Sequence, residues 1–285
     1  MEFINVEKDP HAAPFGLAAP RGGVFALERS CVEKEIGGLP VVTGGDWPGV
    51  RYFCTTRAGG VGTAPHDTLN LGLRADDKPD AVAENRRRVR AAVPGEPLYL
   101  RQVHGADVVD ADAPAETVEP PADASVTVRP GRVLAIMVAD CLPVVMSDEH
   151  GSVLGVAHAG WRGLAGGVLE NTLRAMRARQ PAARGWRAWV GPGIGPAAFE
   201  VGEDVLQAFA PDGPEALALF TPRPGIAGKW LADLPGLARL RLRRAGVAQP
   251  TLSGLCTVSD ADRFFSYRRD RVTGRMALLA WLEAG

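Results

Sequence analysis

Hydrophobic positions along the chain form short runs that alternate with polar or glycine-rich segments. Three predominantly apolar runs follow one another between residues 133 and 159. Each has the length of a strand, and an unbroken apolar run of that length is typical of a strand buried on both faces. A glycine-rich loop comes next, and apolar residues then recur at helical spacing from Leu164 to Met176. The pattern predicts a central unit of three strands and a helix over residues 133–174.

Shorter runs of the same kind lie before and after this unit, with helical patterns dispersed among them. Helices are predicted to begin near Pro79, which suits a first helical position, and near Glu203, and another spans residues 232–245. Further strands are predicted at residues 51–56, 124–128, 186–190 and 251–259. Because strands outnumber helices without strict alternation, the sequence predicts an α+β fold, a layered α/β sandwich with mixed sheets.

The first 48 residues are rich in proline, glycine and alanine and show no sustained period. They predict an extended or partly ordered arm ahead of a single domain over residues 49–285. One short strand is predicted around residues 39–42. Pro40 would confine that strand to a sheet edge, because proline cannot donate a ladder hydrogen bond. The N-terminal residues include no basic segment followed by an apolar core, so no secretory signal is expected.

The composition is that of an ordinary globular protein, with 46% hydrophobic and 23% charged residues. A formal net charge of -1 gives no overall field to attract nucleic acid or an anionic membrane, so neither is an expected partner. No apolar run is long enough to span a bilayer, and the cytoplasm is the expected compartment. The four cysteines form no CxxC pair, which argues against a disulfide scaffold and a structural zinc site.

Three side chains with borderline or soft donor atoms are candidates for a metal site: His104, Cys141 and His158. Two imidazoles and a thiolate suit Zn2+ or Cu2+ better than Mg2+ or Ca2+. Three protein ligands leave a fourth position open, as in catalytic zinc sites. Two other interpretations are open for the same atoms. Cys141 could be a nucleophile with His158 as its base and Asp140 orienting the imidazole, or a small buried hydrophobic residue.

Two arginines lie beside glycine-rich segments. Arg57 precedes a loop with three glycines, and Arg162 stands where the central helix begins. A helix N-terminus with an arginine suits a small anion such as phosphate or a carboxylate. The Lys-Ser or Lys-Thr pair of a nucleotide-binding P-loop is missing, which argues against a nucleoside triphosphatase. The alternative is that both arginines are solvated.

Several longer motifs carry a family resemblance. In chain order they are LNLG, ENR, QVHG, ADCLPV, HAGWRG, GPGIG, FEVG and FFSYRRD with TGRM. Over roughly residues 51–282 the chain resembles the bacterial YfiH family, also known as the laccase-domain, multicopper polyphenol oxidoreductase or peptidoglycan editing factor family. The resemblance implies an α/β sandwich related to the cytotoxic necrotising factor catalytic domain. It also implies that His104, Cys141 and His158 are metal ligands, with Zn2+ or Cu2+ as the metal.

The same resemblance implies an activity and its substrates. Family members are understood as purine nucleoside phosphorylases that act on adenosine, inosine and methylthioadenosine with phosphate, and that also deaminate adenosine. Arg57 and Arg162 would contact phosphate or ribose, Asn70 and Gln102 are weaker candidates for substrate contacts, and Glu200 is a candidate proton shuttle. The catalytic residues implied in this way are Cys141, His158, Arg162 and Arg57.

Other functions are weighed against this one. A multicopper laccase is excluded because its copper centres consume more histidines than the five in this chain, although an oxidase with a single copper stays open. A cysteine hydrolase acting on peptidoglycan precursors through Cys141 and His158 is the main alternative. A binding module without catalysis would leave the three-ligand site without a purpose. The expected partners are a purine nucleoside and phosphate, and the expected state is a monomer or weak homodimer.

Overall fold

The computed structural model of the protein describes residues 31–114 and 117–284. The first 30 residues, which make up most of the predicted arm, lie outside the described residues. In the rest of that segment, the strand predicted around residues 39–42 is present as Leu39–Thr43 (β2), and it pairs with a strand that was not predicted, Val32–Ile36 (β1). These strands continue into the main sheet, so ordered structure begins well before residue 49.

Twelve more strands follow in the described part of the chain. They are Val50–Thr55 (β3), Val108–Asp110 (β4), Ala124–Thr127 (β5), Leu134–Val138 (β6), Leu142–Ser147 (β7), Leu154–Ala159 (β8), Arg187–Val190 (β9), Glu200–Val201 (β10), Phe220–Pro222 (β11), Trp230–Ala232 (β12), Thr251–Leu252 (β13) and Met276–Leu282 (β14).

These strands form three sheets. The first is antiparallel, in the order β1-β2-β3-β14-β6. The second is mixed, in the order β13-β9-β7-β8-β5-β4, with parallel pairs only at its two edges. A small antiparallel sheet has the order β10-β12-β11. The central unit is thereby divided, because β6 joins the first sheet while β7 and β8 lie in the middle of the second.

The prediction that Pro40 would confine its strand to a sheet edge is wrong. β2 lies between β1 and β3. The ladder between β2 and β3 begins at Val41, one residue beyond the proline, so no hydrogen bond to β3 is lost. The carbonyl of Pro40 instead accepts hydrogen bonds from the backbone and side chain of Thr56.

Eight helical segments connect the strands within residues 31–114 and 117–284. They are Pro79–Ala91 (α1), Trp161–Ala165 (α2), Val168–Arg179 (α3), Glu203–Phe209 (α4), a 3-10 turn at Ala210–Asp212, Pro214–Leu217 (α5), Leu234–Arg244 (α6) and Tyr267–Asp270 (α7). None of these helices is both long enough and apolar enough to cross a membrane.

The two large sheets pack face to face, and helices cover their outer faces. Successive side chains of a strand point to opposite faces, so Val145 of β7 packs between the sheets while Val144 and Met146 pack against the helical side. The helical layer over the second sheet contains α3 and α6. On the first sheet, Phe53 and its neighbours pack against α1 through Val89. The predicted layered α+β fold is confirmed.

Two predicted elements differ in detail. The helix expected from Leu164 to Met176 is divided into α2 and α3, because Gly167 adopts a left-handed φ of 88°. The strand expected over residues 251–259 is only two residues long. Gly254 has a φ of 71° and turns the chain away, so that Cys256 makes one isolated bridge to Gly193.

Asn85 generates a prediction about the fold, since its fully buried amide ties α1 to the loop that connects β3 and α1. Its Oδ1 accepts from the backbone N–H of Val61, and its Nδ2 donates to the carbonyls of Thr68 and Asn70. Replacing Asn85 by Ala removes three hydrogen bonds, one of them to the buried carbonyl of Asn70, so the free energy of unfolding should fall by about 3 kcal/mol in urea titrations. Arg87→Ala is the control.

Arg87 lies on the exposed side of α1 and pairs only with Glu84 on the same helix. An exposed pair of this kind contributes little, so the midpoint of the Arg87→Ala variant should stay close to that of the parent protein. Equal midpoints for the two variants would show that Asn85 does not stabilise the fold.

Candidate metal centre

Cys141 and His158 are brought together by the pairing of two neighbouring strands. β7 and β8 run antiparallel, and their register places Pro143 opposite His158. Cys141 lies just before β7, so it reaches the same end of the sheet as His158. A shift of one residue in this register would move His158 to the other face of the sheet. The central unit thus supplies two of the three predicted ligands.

His104 comes from a loop that is anchored on β6. The amide of Gln102 fixes this loop, donating to the carbonyl of Met137 and accepting from its N–H, both at 2.8 Å. His104 has a φ of 62°, which is uncommon outside glycine. The donor atoms of His104, Cys141 and His158 all lie within 4.8 Å of one another. The two imidazole rings meet edge to face at 5.0 Å. The structure therefore brings the three predicted ligands into one cluster.

A buried aspartate that the sequence analysis did not identify, Asp123, connects these parts. Its Oδ1 accepts from Nδ1 of His158 at 2.8 Å and from the backbone N–H of His104 at 3.0 Å. Its Oδ2 accepts from the N–H groups of Val103 and Gly105 at 3.1 and 2.7 Å. Because Nδ1 of His158 faces the carboxylate, its Nε2 is the nitrogen available to a metal ion. A carboxylate behind a ligating histidine is the usual way to fix the ring.

Charges within the cluster shift the pKa values of its members in opposite directions. Burial by itself raises the pKa of the Cys141 thiol, but the charge of His158 and hydrogen bonds to His104 and His158 bring it below its usual range. Burial by itself lowers the pKa of His158, but the Cys141 thiolate and the bond to Asp123 raise it above its usual range. The direction of this shift favours the thiolate of Cys141, the form that binds metals and attacks electrophiles.

Two motif glycines make room for the cluster. A Cβ atom at Gly160 would lie 2.9 Å from Sγ of Cys141 and 3.3 Å from the ring of His104. A Cβ atom at Gly163 would lie 2.6 Å from the carbonyl oxygen of Gly105, so α2 can approach the His104 loop only without a side chain there. The glycines of HAGWRG thus serve the packing of the site.

Asp140 does not have the role of orienting His158, which belongs to Asp123. The carboxylate of Asp140 accepts hydrogen bonds from Oγ1 of Thr257 and from the backbone N–H of Arg268, both at 2.6 Å. These bonds hold Asp140 at a left-handed φ of 95°, which makes the sharp turn that presents Cys141.

The cluster lies in the wall of a cavity of about 570 Å3. Three aromatic side chains, Trp161, Phe199 and Tyr267, form part of its surface. The carboxylate of Asp140 already accepts two hydrogen bonds, and it is the only acidic side chain among the described lining residues. Four guanidinium groups also line the cavity: Arg74, Arg162, Arg268 and Arg275. This excess of positive charge suits an anionic ligand.

Two of the predicted substrate contacts reach this cavity. Arg162 is exposed at its rim, 4.4 Å above the ring of Trp161, and has no carboxylate partner in the described part of the chain. Gln102 also lines the cavity, but both ends of its amide bind the backbone of Met137. Its role in the structure is to hold the His104 loop.

Three other predicted residues are not brought to the cavity. The guanidinium of Arg57 donates to the carbonyls of Asp67 and Ala261 and pairs with the carboxylate of Asp67. Asn70 is fully buried, and its amide binds other protein groups. The side chain of Glu200 pairs with Arg223. None of the three is among the residues that line the cavity.

The fold and the three-ligand cluster define an α+β protein with a candidate catalytic metal centre. The chain belongs to the family described as multi-copper polyphenol oxidoreductase laccase, whose model matches residues 51–283. This is the YfiH family that the motifs predicted.

Relatives and solved structures agree with this assignment. The chain is 47% identical over 241 residues to a purine nucleoside phosphorylase of Pseudomonas aeruginosa, covering 84% of this chain and 97% of that protein. It is 46% identical over 245 residues to the purine nucleoside phosphorylase YfiH of Escherichia coli K12, covering 83% and 96%. A Neisseria meningitidis structure matches with a TM-score of 0.77 at 46% identity, covering 84% and 98%. YlmD from Geobacillus stearothermophilus matches with a TM-score of 0.78 at 32% identity, covering 86% and 96%.

The chemistry of the cluster fits a metal ion. One thiolate and two imidazoles are donors of the kind that zinc and copper prefer. Asp123 sets the orientation of His158, and Gly160 leaves the donor atoms uncovered on one side. His104, Cys141 and His158 could therefore bind a metal ion.

Asp123 generates a prediction about metal affinity. In Asp123→Asn, an amide N–H2 group replaces one acceptor oxygen, so either His158 or the His104 loop loses its partner. Zinc affinity should fall about 10- to 100-fold, as is usual when a ligating histidine loses its carboxylate. Competition with a chromogenic chelator measures the change. Asp112→Asn is the matched control, because Asp112 is also a hydrogen-bonded carboxylate but its partners are Thr127, Val128 and Arg179, none of which belongs to the cluster. An equal loss in both variants would contradict a specific role for Asp123.

The lowered pKa of Cys141 generates a second prediction. In metal-free protein at pH 7, iodoacetamide should alkylate Cys141 much faster than Cys54, since burial raises the pKa of the Cys54 thiol. Lowering the pH through the pKa of Cys141 should slow the reaction, and stoichiometric zinc should suppress it. Mass spectrometry of peptides over time gives both rates. Labelling of Cys141 that zinc leaves unchanged would show that Cys141 does not bind the metal.

Proposed function

We propose that the protein is a metal-dependent purine nucleoside phosphorylase that converts adenosine, inosine or methylthioadenosine with phosphate to the free base and the ribose 1-phosphate. One observation carries the proposal. A single cavity unites a His/Cys/His cluster, four guanidinium groups and three aromatic rings. These groups suit metal-assisted transfer of a sugar to phosphate. The names of relatives at 46–49% identity support the same activity.

The charge of the cavity supports phosphate as the co-substrate. Arginine binds phosphate through parallel N–H donors, and such charge-assisted bonds are strong in a partly dehydrated site. Arg162 is the predicted phosphate residue that does lie in the cavity, and its guanidinium has no competing carboxylate in the described residues. Arg57, which was predicted to share this role, keeps its donors bound to Asp67 and Ala261, so its function in this scheme is to hold a loop.

The apolar part of the cavity suits a flat heterocyclic base. Trp161, Phe199 and Tyr267 offer ring surfaces, and Leu73 adds an aliphatic contact at the mouth. Tyr267 and Leu73 are 51% and 54% exposed, so a base that enters the cavity can cover their apolar surface. A cavity of about 570 Å3 is also within the usual range for small-molecule sites.

Zinc is the proposed metal, with copper as the alternative. Held by His104, Cys141 and His158, it would supply Lewis acidity that stabilises negative charge developing on the substrate. The protein's own residues contribute orientation: Asp123 fixes His158, and the turn at Asp140 fixes Cys141. Adenosine deaminase activity is part of the proposal, because the same centre could act on the exocyclic amine of adenine.

A second candidate function is favoured by one observation. Cys141, His158 and Asp123 are ordered as nucleophile, base and orienting carboxylate, the arrangement of a cysteine hydrolase. Such an enzyme would use Cys141 without a metal and could act on peptidoglycan precursors. His104 has no function in that scheme, whereas it completes the ligand set in the first. An oxidase with a single copper would use the same three ligands.

The phosphorylase proposal is tested by incubating metal-analysed protein with inosine and phosphate, followed by chromatography. Hypoxanthine and ribose 1-phosphate should form only when phosphate is present. Adenosine alone should give inosine if the deaminase activity is present. Failure to form hypoxanthine at stoichiometric zinc would contradict the proposal.

The variant Cys141→Ser separates the two candidate functions and should lose zinc and phosphorolysis together, because a neutral hydroxyl is a poor zinc ligand. Cys31→Ser, at a half-buried cysteine remote from the cluster in sequence and absent from the cavity lining, should retain both. If Cys141→Ser keeps zinc but loses hydrolysis of peptidoglycan precursors, the hydrolase is the better assignment.

A further inference from the structure

Arg275 is a partly buried arginine in the wall of the cavity, and part of its guanidinium makes no hydrogen bond to the described residues. Its Nη1 donates to the carbonyls of Thr273 and Gly274 at 2.9 and 3.0 Å. Within the described part of the chain its guanidinium pairs with no carboxylate, and its Nε and Nη2 make no hydrogen bond to protein. Burying an unpaired guanidinium is unfavourable unless an anion accompanies it. Burial lowers the pKa of Arg275, and the negative charges of Cys141 and Asp140 raise it by a smaller amount.

The other three cavity arginines are placed differently. Arg74 pairs with Glu119 at 2.8 Å. Arg268 donates to the carbonyl of Glu200 and lies 5.4 Å from the ring of Phe199. Arg162 is exposed at the rim on Trp161. Arg268 and Arg275 are both partly buried and form no ion pair with a carboxylate in the described structure, but Arg268 lies against the ring of Phe199, whereas the guanidinium of Arg275 has no aromatic ring against it among the described residues.

The LNLG motif, residues 69–72, holds Arg275 in place. Oδ1 of Asn70, in LNLG, accepts from the backbone N–H of Arg275 at 2.8 Å and from that of Gly72 at 3.0 Å. A Cβ atom at Gly72 would lie 2.7 Å from Cγ of Arg275, so the chain at Gly72 packs directly on this side chain. Asn70 was predicted to touch substrate, but its contacts make it a positioning residue for Arg275.

The geometry leaves a two-donor edge for a ligand. Nη1 faces the carbonyls of its own turn, which leaves Nε and Nη2 as a parallel pair of donors. This fork matches two oxygens of one phosphate. The cavity that Arg275 lines is also lined by His104, Cys141 and His158.

We propose that Arg275 is the principal phosphate-binding residue of this cavity and that Arg162 adds a second contact from the rim. The inference rests on the proposed phosphorylase function for the identity of the anion. It changes the predicted assignment, in which Arg57 and Arg162 shared this role. Asn70 then contributes to phosphate binding through the position of Arg275, without touching the ligand.

The test measures binding of inorganic phosphate to zinc-loaded protein without nucleoside, by calorimetry. Arg275→Met keeps the aliphatic volume and removes the donors, so the Kd for phosphate should rise at least about 10-fold. Arg275→Lys keeps the charge without the fork and should give a smaller rise. If the Met variant does not fold, the Lys variant and Asn70→Ser carry the test. Arg243→Met is the control, since Arg243 is exposed on α6 and does not line this cavity.

Kinetics provide a second measurement. With inosine as substrate, Arg275→Met should raise the KM for phosphate at least about 10-fold and leave the KM for inosine within about 3-fold. An unchanged phosphate Kd in Arg275→Met, or a larger loss in Arg162→Met, would overturn the assignment. So would a parent protein that binds no phosphate. If the parent binds phosphate through Arg275 but forms no hypoxanthine, the anion site stands and the phosphorylase function fails.

Discussion

The arrangement of the site depends on one buried carboxylate. Asp123 lies directly before β5, and its backbone carbonyl accepts from the N–H of His158 across the sheet, while its side chain accepts from the ring of the same residue. The other hydrogen bonds of that side chain fix the backbone from Val103 to Gly105. A single negative charge thus joins a sheet to a loop that has little regular structure. Burial of this charge is tolerated because four N–H groups surround it.

Much of the fold and half of the site follow from the sequence for identifiable reasons. The apolar runs of β6, β7 and β8 are unambiguous because both faces of these strands are buried, and Cys141 and His158 flank them in a way that the antiparallel register then brings together. His104 could be proposed from its donor chemistry and from the motif around it. The distance between His104 and Cys141 could not be predicted, because the His104 loop is positioned by hydrogen bonds between Gln102 and Met137 rather than by a helix or strand of its own.

The remaining roles could not be read from the sequence because they depend on which hydrogen bonds a side chain has already made. Arg57 looks like an anion ligand beside its glycines, yet one of its partners, Ala261, lies 204 residues away. Asp123 looks like a solvated residue before a strand. Pro40 looks like an edge residue until the register shows that β3 begins pairing one residue later. In each case residue type gives the capacity for an interaction, and tertiary structure decides whether that capacity is already used.

The position of β14 has a consequence for how the protein is made. This strand lies between β3 and β6 in the first sheet, and β3 and β6 do not pair with each other. In the chain, some 80 residues separate β3 from β6. On the ribosome, the first sheet therefore stays in two unjoined halves until residues 276–282 emerge, and Arg275 arrives with them. The ribosome adds His104, Cys141 and His158 more than a hundred residues before it adds Arg275. All three candidate metal ligands are therefore present in the nascent chain before Arg275 completes the wall of the cavity.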